Sequence, residues 1–197
     1  MRSQPDHSQG VPPATDDLSM STAGVKTVAA SRTIMNEIVL PNDTNTLGNL
    51  MGGRLLHWMD ICAAISSQRH TNRVCVTAAV DNVEFHSPIK LGEIITLESQ
   101  VNRVFRTSME IEINVWAENP RTRERRKCNR AYYTFVSVDD ELRAVSAPQI
   151  VPETPDEKAA YDEAARRREL RLILAGRLQM HDTEHLREGL AFSKIKK

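Results

Sequence analysis

The sequence predicts an α+β fold: a curved antiparallel sheet wrapped around one long central helix, with an extra helix at the C-terminal side. Three observations predict it. Leu55, Leu56, Met59, Cys62, Ala63 and Ile65 recur at spacings of three and four, the mark of a core-facing helix. Segments rich in β-branched residues stand before and after that helix, at fairly regular spacing. Beyond Pro152 the composition turns to Ala, Arg, Glu and Leu behind a Pro and an acidic run, which reads as a separate helix.

The elements follow in order. Residues 1–31 are rich in Ser, Thr, Pro, Asp and Gln and hold too little apolar surface to offset ordering entropy, so a disordered tail is expected. The main domain spans 32–152. Its first strand runs from Arg32 to Leu40 and stops at Pro41. Residues 41–53 are loop, dominated by Asn, Asp, Thr and Gly. The long helix covers about 52–70. Val74 to Phe85 and Ile94 to Val104 read as strands, parted by turn signals at Pro88 and Gly92. Met109, Ile111, Ile113, Val115 and Ala117 alternate with Ser108, Glu110, Glu112 and Asn114, giving a half-buried strand with one polar face. A charged hairpin at 119–126 leads to the last strand, Lys127 to Val138. Such a sheet leaves an edge strand and one face uncovered, so pairing of two copies is expected. Thr154 is placed as N-cap for a helix over 155–175, with Pro155, Asp156 and Glu157 in its first turn. A flexible tail is expected from Gly176 to 197.

Composition narrows the function classes. Twenty-six basic and twenty-six acidic residues give a formal charge of zero, so no global field points to nucleic acid or an anionic membrane. No apolar run reaches the ~20 residues a membrane helix needs, and no secretory leader is evident, so a cytoplasmic protein is expected. Cys62, Cys75 and Cys128 form no disulfide framework and read as buried thiols in a reducing compartment. The histidines lack metal-ligand spacing, and no metal is predicted.

The chemistry-bearing constellation is Asn45, Gly52, Gly53 and Asp60. Gly52 and Gly53 open the helix, where unpaired N–H groups and the helix dipole favour a developing negative charge. Without side chains there, a substrate can approach the backbone closely, as an oxyanion requires. Asp60 follows two turns later on an otherwise apolar stretch, where a carboxylate is costly unless paired, exposed or functional. It suits a general base on water or a nucleophile. The bland alternatives are a turn glycine pair and a solvent-facing Asp. His57 lies one turn before Asp60, and His86 sits in a turn that could line a pocket mouth.

The stretch PNDTNTLGNLMGGRLLHWMD, the segment VTAAVDNVEFHSPIKLGEIITLESQV, the RTSMEI strand start and the AYYTFVSVD strand resemble the hot-dog-fold acyl-CoA thioesterases over about residues 32–172. The resemblance implies hydrolysis of fatty acyl-CoA to free fatty acid and CoA. Asp60 matches the family's catalytic acid, Gly53 its oxyanion donor, and Asn45 a partner residue supplied by the other subunit of a homodimer, with trimers of dimers frequent. Coenzyme A contacts match Gly52, Ala78, Ala79, Val80, Thr107, Ser108 and Met109, with basic groups for its phosphates at Arg166, Arg167 and Arg168. A second basic cluster, Arg121, Arg123, Arg125, Arg126 and Lys127, reads as a solvated hairpin. Coenzyme A is part of the substrate, so no cofactor is expected. Two rivals share the fold. A hydroxyacyl-thioester dehydratase would want a His paired with an acid at the pocket, and a non-catalytic acyl-CoA sensor would want an added DNA-binding module.

Overall fold

The computed structural model describes residues 24–186 apart from positions 82 and 84. Its strands are β1 (Lys26–Thr27), β2 (Thr33–Ile38), β3 (Cys75–Val80), β4 (Ile94–Val104), β5 (Ser108–Glu118), β6 (Arg125–Ser137) and β7 (Ile150–Val151). Helix α1 spans Gly52–Thr71 and helix α2 spans Pro155–Leu174. Five strands form one antiparallel sheet in the order β2-β4-β5-β6-β3. This curled sheet around a central helix, with a second helix following, is the hot-dog architecture.

The apolar stripe of α1 does the packing that its spacing predicts. Leu55, Met59, Cys62 and Ala63 are buried against Ile95, Leu97 and Val101 of β4 and Met109, Ile111 and Ile113 of β5. Met59 has no solvent exposure, so its truncation to Ala would cost about 2–5 kcal/mol. The helix ends where Asn72 takes a left-handed conformation (φ 54°) and its N–H donates to the carbonyl of Gln68 at 2.7 Å. At α2, Thr154 accepts from the N–H of Glu157, whose carboxylate accepts in return from the N–H of Thr154 at 3.1 Å. Glu157 also pairs with Arg32 at 2.9 Å, tying the start of α2 to the chain ahead of β2.

Four features depart from the sequence reading. The strand expected over 74–85 leaves the sheet after Val80, and the chain beyond lines cavities instead. Order begins before residue 32: Lys26 and Thr27 pair in parallel with Ile150 and Val151, and Val28 is buried. Residues 1–23 lie outside the described residues. Past α2, a turn of 3-10 helix at Met180–Asp182 brings the N–H groups of Glu184, His185 and Leu186 onto the buried carboxylate of Glu169; positions 187–197 lie outside the described residues.

The fourth departure is the polar face of β5, which is not solvated. Glu110 is fully buried against Arg167 of α2, and Glu112 is nearly so among Asn102, Asn114 and Arg130. The Arg167 guanidinium of α2 donates to Glu110 Oε1 at 2.6 Å and Oε2 at 3.1 Å and stacks 3.7 Å from the centre of the Tyr132 ring. Arg130 pairs with Glu112 at 2.8 Å. A buried carboxylate persists only with such partners. The three cysteines are free and buried.

Candidate active site

The N-cap side chain makes no capping hydrogen bond to the first turn of α1. Met51 is the N-cap, and its carbonyl accepts from Arg54 at 3.0 Å and Leu55 at 3.1 Å. The N–H groups of Gly52 and Gly53 meet no acceptor among the described residues. A Cβ at Gly53 would have nothing within 4 Å, whereas a Cβ at Gly52 would stand 3.2 Å from the Phe85 ring.

Two cavities flank this helix start. One is lined by Gly53, His57, Asp60, Val80, Val83 and Tyr133, with Leu56 and Asp81 at its margin. The other is mainly apolar, with Leu50, Leu55, Phe85 and Ile89 around Gly52 and Asn49, His86 and Ser87 as polar members of its lining. In the first, Thr77 Oγ1 of β3 donates to Asp60 Oδ1 at 2.6 Å. The register of β3 against β6 shifts between Thr77 and Ala79, so Ala78 is an extra residue there. Such a bulge bends an edge strand and re-aims its side chains. Tyr133 reaches the cavity from β6 and its hydroxyl lies 3.5 Å from the carbonyl of Leu56. Burial, then the neighbouring Asp60 charge, push the Tyr133 phenol up to about 12, so it stays a neutral group at ordinary pH.

The structure therefore brings Gly53, Asp60 and Val80 together, with Ala78 and Ala79 on the same strand edge and Gly52 on the adjoining cavity. Asn45 does not line the Asp60 cavity. It sits in an exposed turn, its Oδ1 accepting from the N–H of Leu47 at 2.9 Å and of Asn49 at 3.2 Å. Thr107, Ser108 and Met109 lie two strands from β3, where Ser108 registers with Val136 and Val136 with Val76; the Met109 side chain is fully buried. On α2, Arg167 is engaged by Glu110, and Arg168 stands 4.7 Å from the ring of Phe105, just past β4. In the basic hairpin, Arg125 and Arg126 pair with Glu98 and Glu93. Among the described residues no group of three His, Cys, Asp or Glu side chains could hold a metal.

Sequence reasoning missed Thr77, Tyr133 and Asp81. The alternation of β6 carried a signal for one of them, since the inward face that holds Ala131 and Phe135 must also hold Tyr133. No local pattern marks Thr77, because its contact with Asp60 depends on how β3 packs along α1.

A helix N-terminus whose first N–H groups meet no acceptor among the described residues, a carboxylate two turns along and an adjoining hollow are elements that suit acyl-transfer chemistry on a hot-dog fold. Comparison with known proteins agrees. The model of the thioesterase superfamily matches residues 47–124. Acyl-coenzyme A thioesterase 11 of Mus musculus is 38% identical over 141 residues, 72% of this chain and 24% of that protein. The uncharacterised acyl-CoA thioester hydrolase YkhA of Bacillus subtilis is 36% identical over 148 residues, 75% of this chain and 86% of its own. The chain thus spans about a quarter of the mouse relative but most of the bacterial one. A solved hexameric acyl-CoA thioesterase superposes with a TM-score of 0.75 at 38% identity, covering 77% of this chain and 97% of that one. The Staphylococcus aureus acyl-CoA hydrolase, solved with butyryl coenzyme A and coenzyme A, gives 0.71 at 31% identity over 78% and 95%. It has also been solved as variants in which an Asp, an Asn or a Thr is replaced by Ala. The chain belongs to the thioesterase superfamily, in its acyl-CoA hydrolase branch.

Proposed function

We propose that this protein hydrolyses fatty acyl-CoA to free fatty acid and CoA. One observation carries the reading: Asp60, oriented by Thr77, shares a cavity with Gly53, whose N–H meets no acceptor among the described residues. The thioester carbonyl oxygen lies on that N–H, and the acyl chain enters the apolar hollow beside Gly52. Asp60 then takes a proton from water as the water attacks the carbonyl carbon, or attacks that carbon itself to give an anhydride that water opens. Either way the C–S bond breaks, the acid is released, and the CoA sulfur leaves as the thiol after gaining a proton.

Spacing supports the assignment. The Asn, Asp and Thr replaced in the S. aureus variants are separated by 15 and 17 residues, as are Asn45, Asp60 and Thr77 here. Asn45 acts from a second subunit. The edge strand β3, which exposes Val76 and Val80, is the surface for that homodimer, and trimers of dimers match the hexameric relative. Pantetheine lies along Ala78, Ala79 and Val80 and reaches Thr107–Met109, with the phosphates toward Arg167 and Arg168. The setting is cytoplasmic: no described helix is long and apolar enough to cross a membrane, and a Homo sapiens relative is named a cytosolic hydrolase. Thiol release from a C2–C18 acyl-CoA panel tests the function. Wild type turns over and folded Asp60→Ala does not; a wild type that binds acyl-CoA without turnover would refute the proposal.

A further inference from the structure

Helix α2 lies outside the cavity, yet one of its side chains grips the cavity wall. Arg171 Nη1 donates to Asp81 Oδ2 at 2.9 Å and also to Thr134 Oγ1. Asp81 borders the Asp60 cavity with Val80 and Val83, and Thr134 directly follows Tyr133, which lines the same cavity. Asp81 is the first residue past β3, and its N–H still donates to the carbonyl of Tyr132 in β6 at 2.9 Å. One turn earlier on the same face of α2, Arg167 is fixed to the fully buried Glu110 and to the Tyr132 ring. The helix is thus anchored deep in the sheet at Arg167 and reaches outward at Arg171 to hold the end of β3. Both Arg171 and Asp81 are largely shielded from water, with side chains 25% and 19% exposed, so the pair is more than a solvated contact.

We infer that Arg171 is a positioning residue: through Asp81 it holds the wall of the Asp60 cavity in register with α1. It touches no reacting atom. It fixes the distance between the end of β3 and Asp60, and with it the alignment of Thr77, Val80 and Tyr133 around the carboxylate.

The kinetic arm of the test rests on the proposed thioester hydrolysis, and the exchange arm does not. Wild type, Arg171→Ala, Asp81→Asn and the swap Asp81→Arg/Arg171→Asp are compared by acyl-CoA turnover and by amide hydrogen exchange. A charge-assisted bond of this kind predicts about a tenfold faster exchange of the Asp81 amide in Arg171→Ala and in Asp81→Asn, with β4 amides unchanged. The same variants lose about tenfold in kcat with KM within about twofold, and the swap regains most of both losses. Unchanged exchange at Asp81, or a swap no better than the single variants, overturns the inference. So does loss of protection spread evenly over the sheet, which would mark Arg171 as a general stability residue. If wild type hydrolyses no acyl-CoA, exchange at Asp81 still decides whether Arg171 holds the wall, and only the thioesterase proposal falls.

Discussion

Replacing Thr77 by Val tests the hydrogen bond that Thr77 gives to Asp60. Val keeps the β-branched shape that suits strand β3 and removes only the donor, leaving Asp60 Oδ1 without its 2.6 Å partner. A hydrogen bond to a charged acceptor is worth about 1.5–3 kcal/mol. Thr77 is exposed in the single chain, so water competes for the carboxylate and the lower end of that range applies. About 1.5 kcal/mol corresponds to roughly a tenfold loss of kcat if the bond matters chiefly in the transition state. Initial rates of thiol release, resolved into kcat and KM, measure it, with Thr77→Ser as the variant that keeps the hydroxyl and most of the activity. A Thr77→Val enzyme with kcat within twofold of wild type would show that Asp60 needs no orientation from β3, and the reasoning would fail.

Two further outcomes follow from buried charge. Arg167→Ala leaves Glu110 fully buried without its cation, so urea denaturation is expected to report a loss of about 3–5 kcal/mol; Arg167→Met with Glu110→Gln should recover much of it, and a single variant as stable as wild type would contradict the account. His70 is buried, and burial lowers its pKa below the ordinary 6.5; Nε2 lies 2.7 Å from the carbonyl of Pro148, and Nδ1 has no partner among the described residues. The folded state therefore binds fewer protons than the unfolded one at mildly acid pH. Its stabilising contribution is present above pH 6.5 and is lost as pH falls through the depressed value. Thermal midpoints at pH 8 and pH 5.5 should differ more in wild type than in His70→Gln, and equal differences would remove His70 as the cause.

How much of this was legible depended on whether a contact was local. The stripe of α1, the alternation of β5 and the Thr154 N-cap with Pro155 behind it are patterns within a few residues, and each is realised in the fold. The pairing of Lys26 and Thr27 with Ile150 and Val151 joins two-residue strands far apart in the chain, and nothing local to either announces the other. Glu110 and Glu112 misled for a different reason. Alternation says only that they face away from the Met109–Ile111–Ile113 side; it cannot say that α2 covers that outer face. The run Arg166-Arg167-Arg168 looked like one basic patch, but the helical turn separates its members: Arg167 points into the Glu110 pocket and Arg168 toward Phe105. The Gly-Gly helix start and Asp60 were legible because both lie on α1, whose geometry fixes their separation, whereas Thr77 and Asp81 enter from a strand whose position the sequence does not encode locally.

The turn around Asn45 constrains what that residue can do in the proposed dimer. Its Oδ1 is occupied by two backbone N–H groups of its own turn, which holds the side chain still. Only the Nδ2 group remains to meet a substrate, and an amide nitrogen donates without accepting. In that proposed arrangement Asn45 serves as a donor to a carbonyl or water oxygen, and the base or nucleophile role stays with Asp60. The proposed division fits the chemistry: donors at Gly53 and Asn45 would serve the oxygen that gains charge, and the carboxylate would serve the attack on the carbonyl carbon. It also explains why a lone chain, with Asn45 turned to solvent and β3 an open edge, holds both residues without bringing them to one cavity.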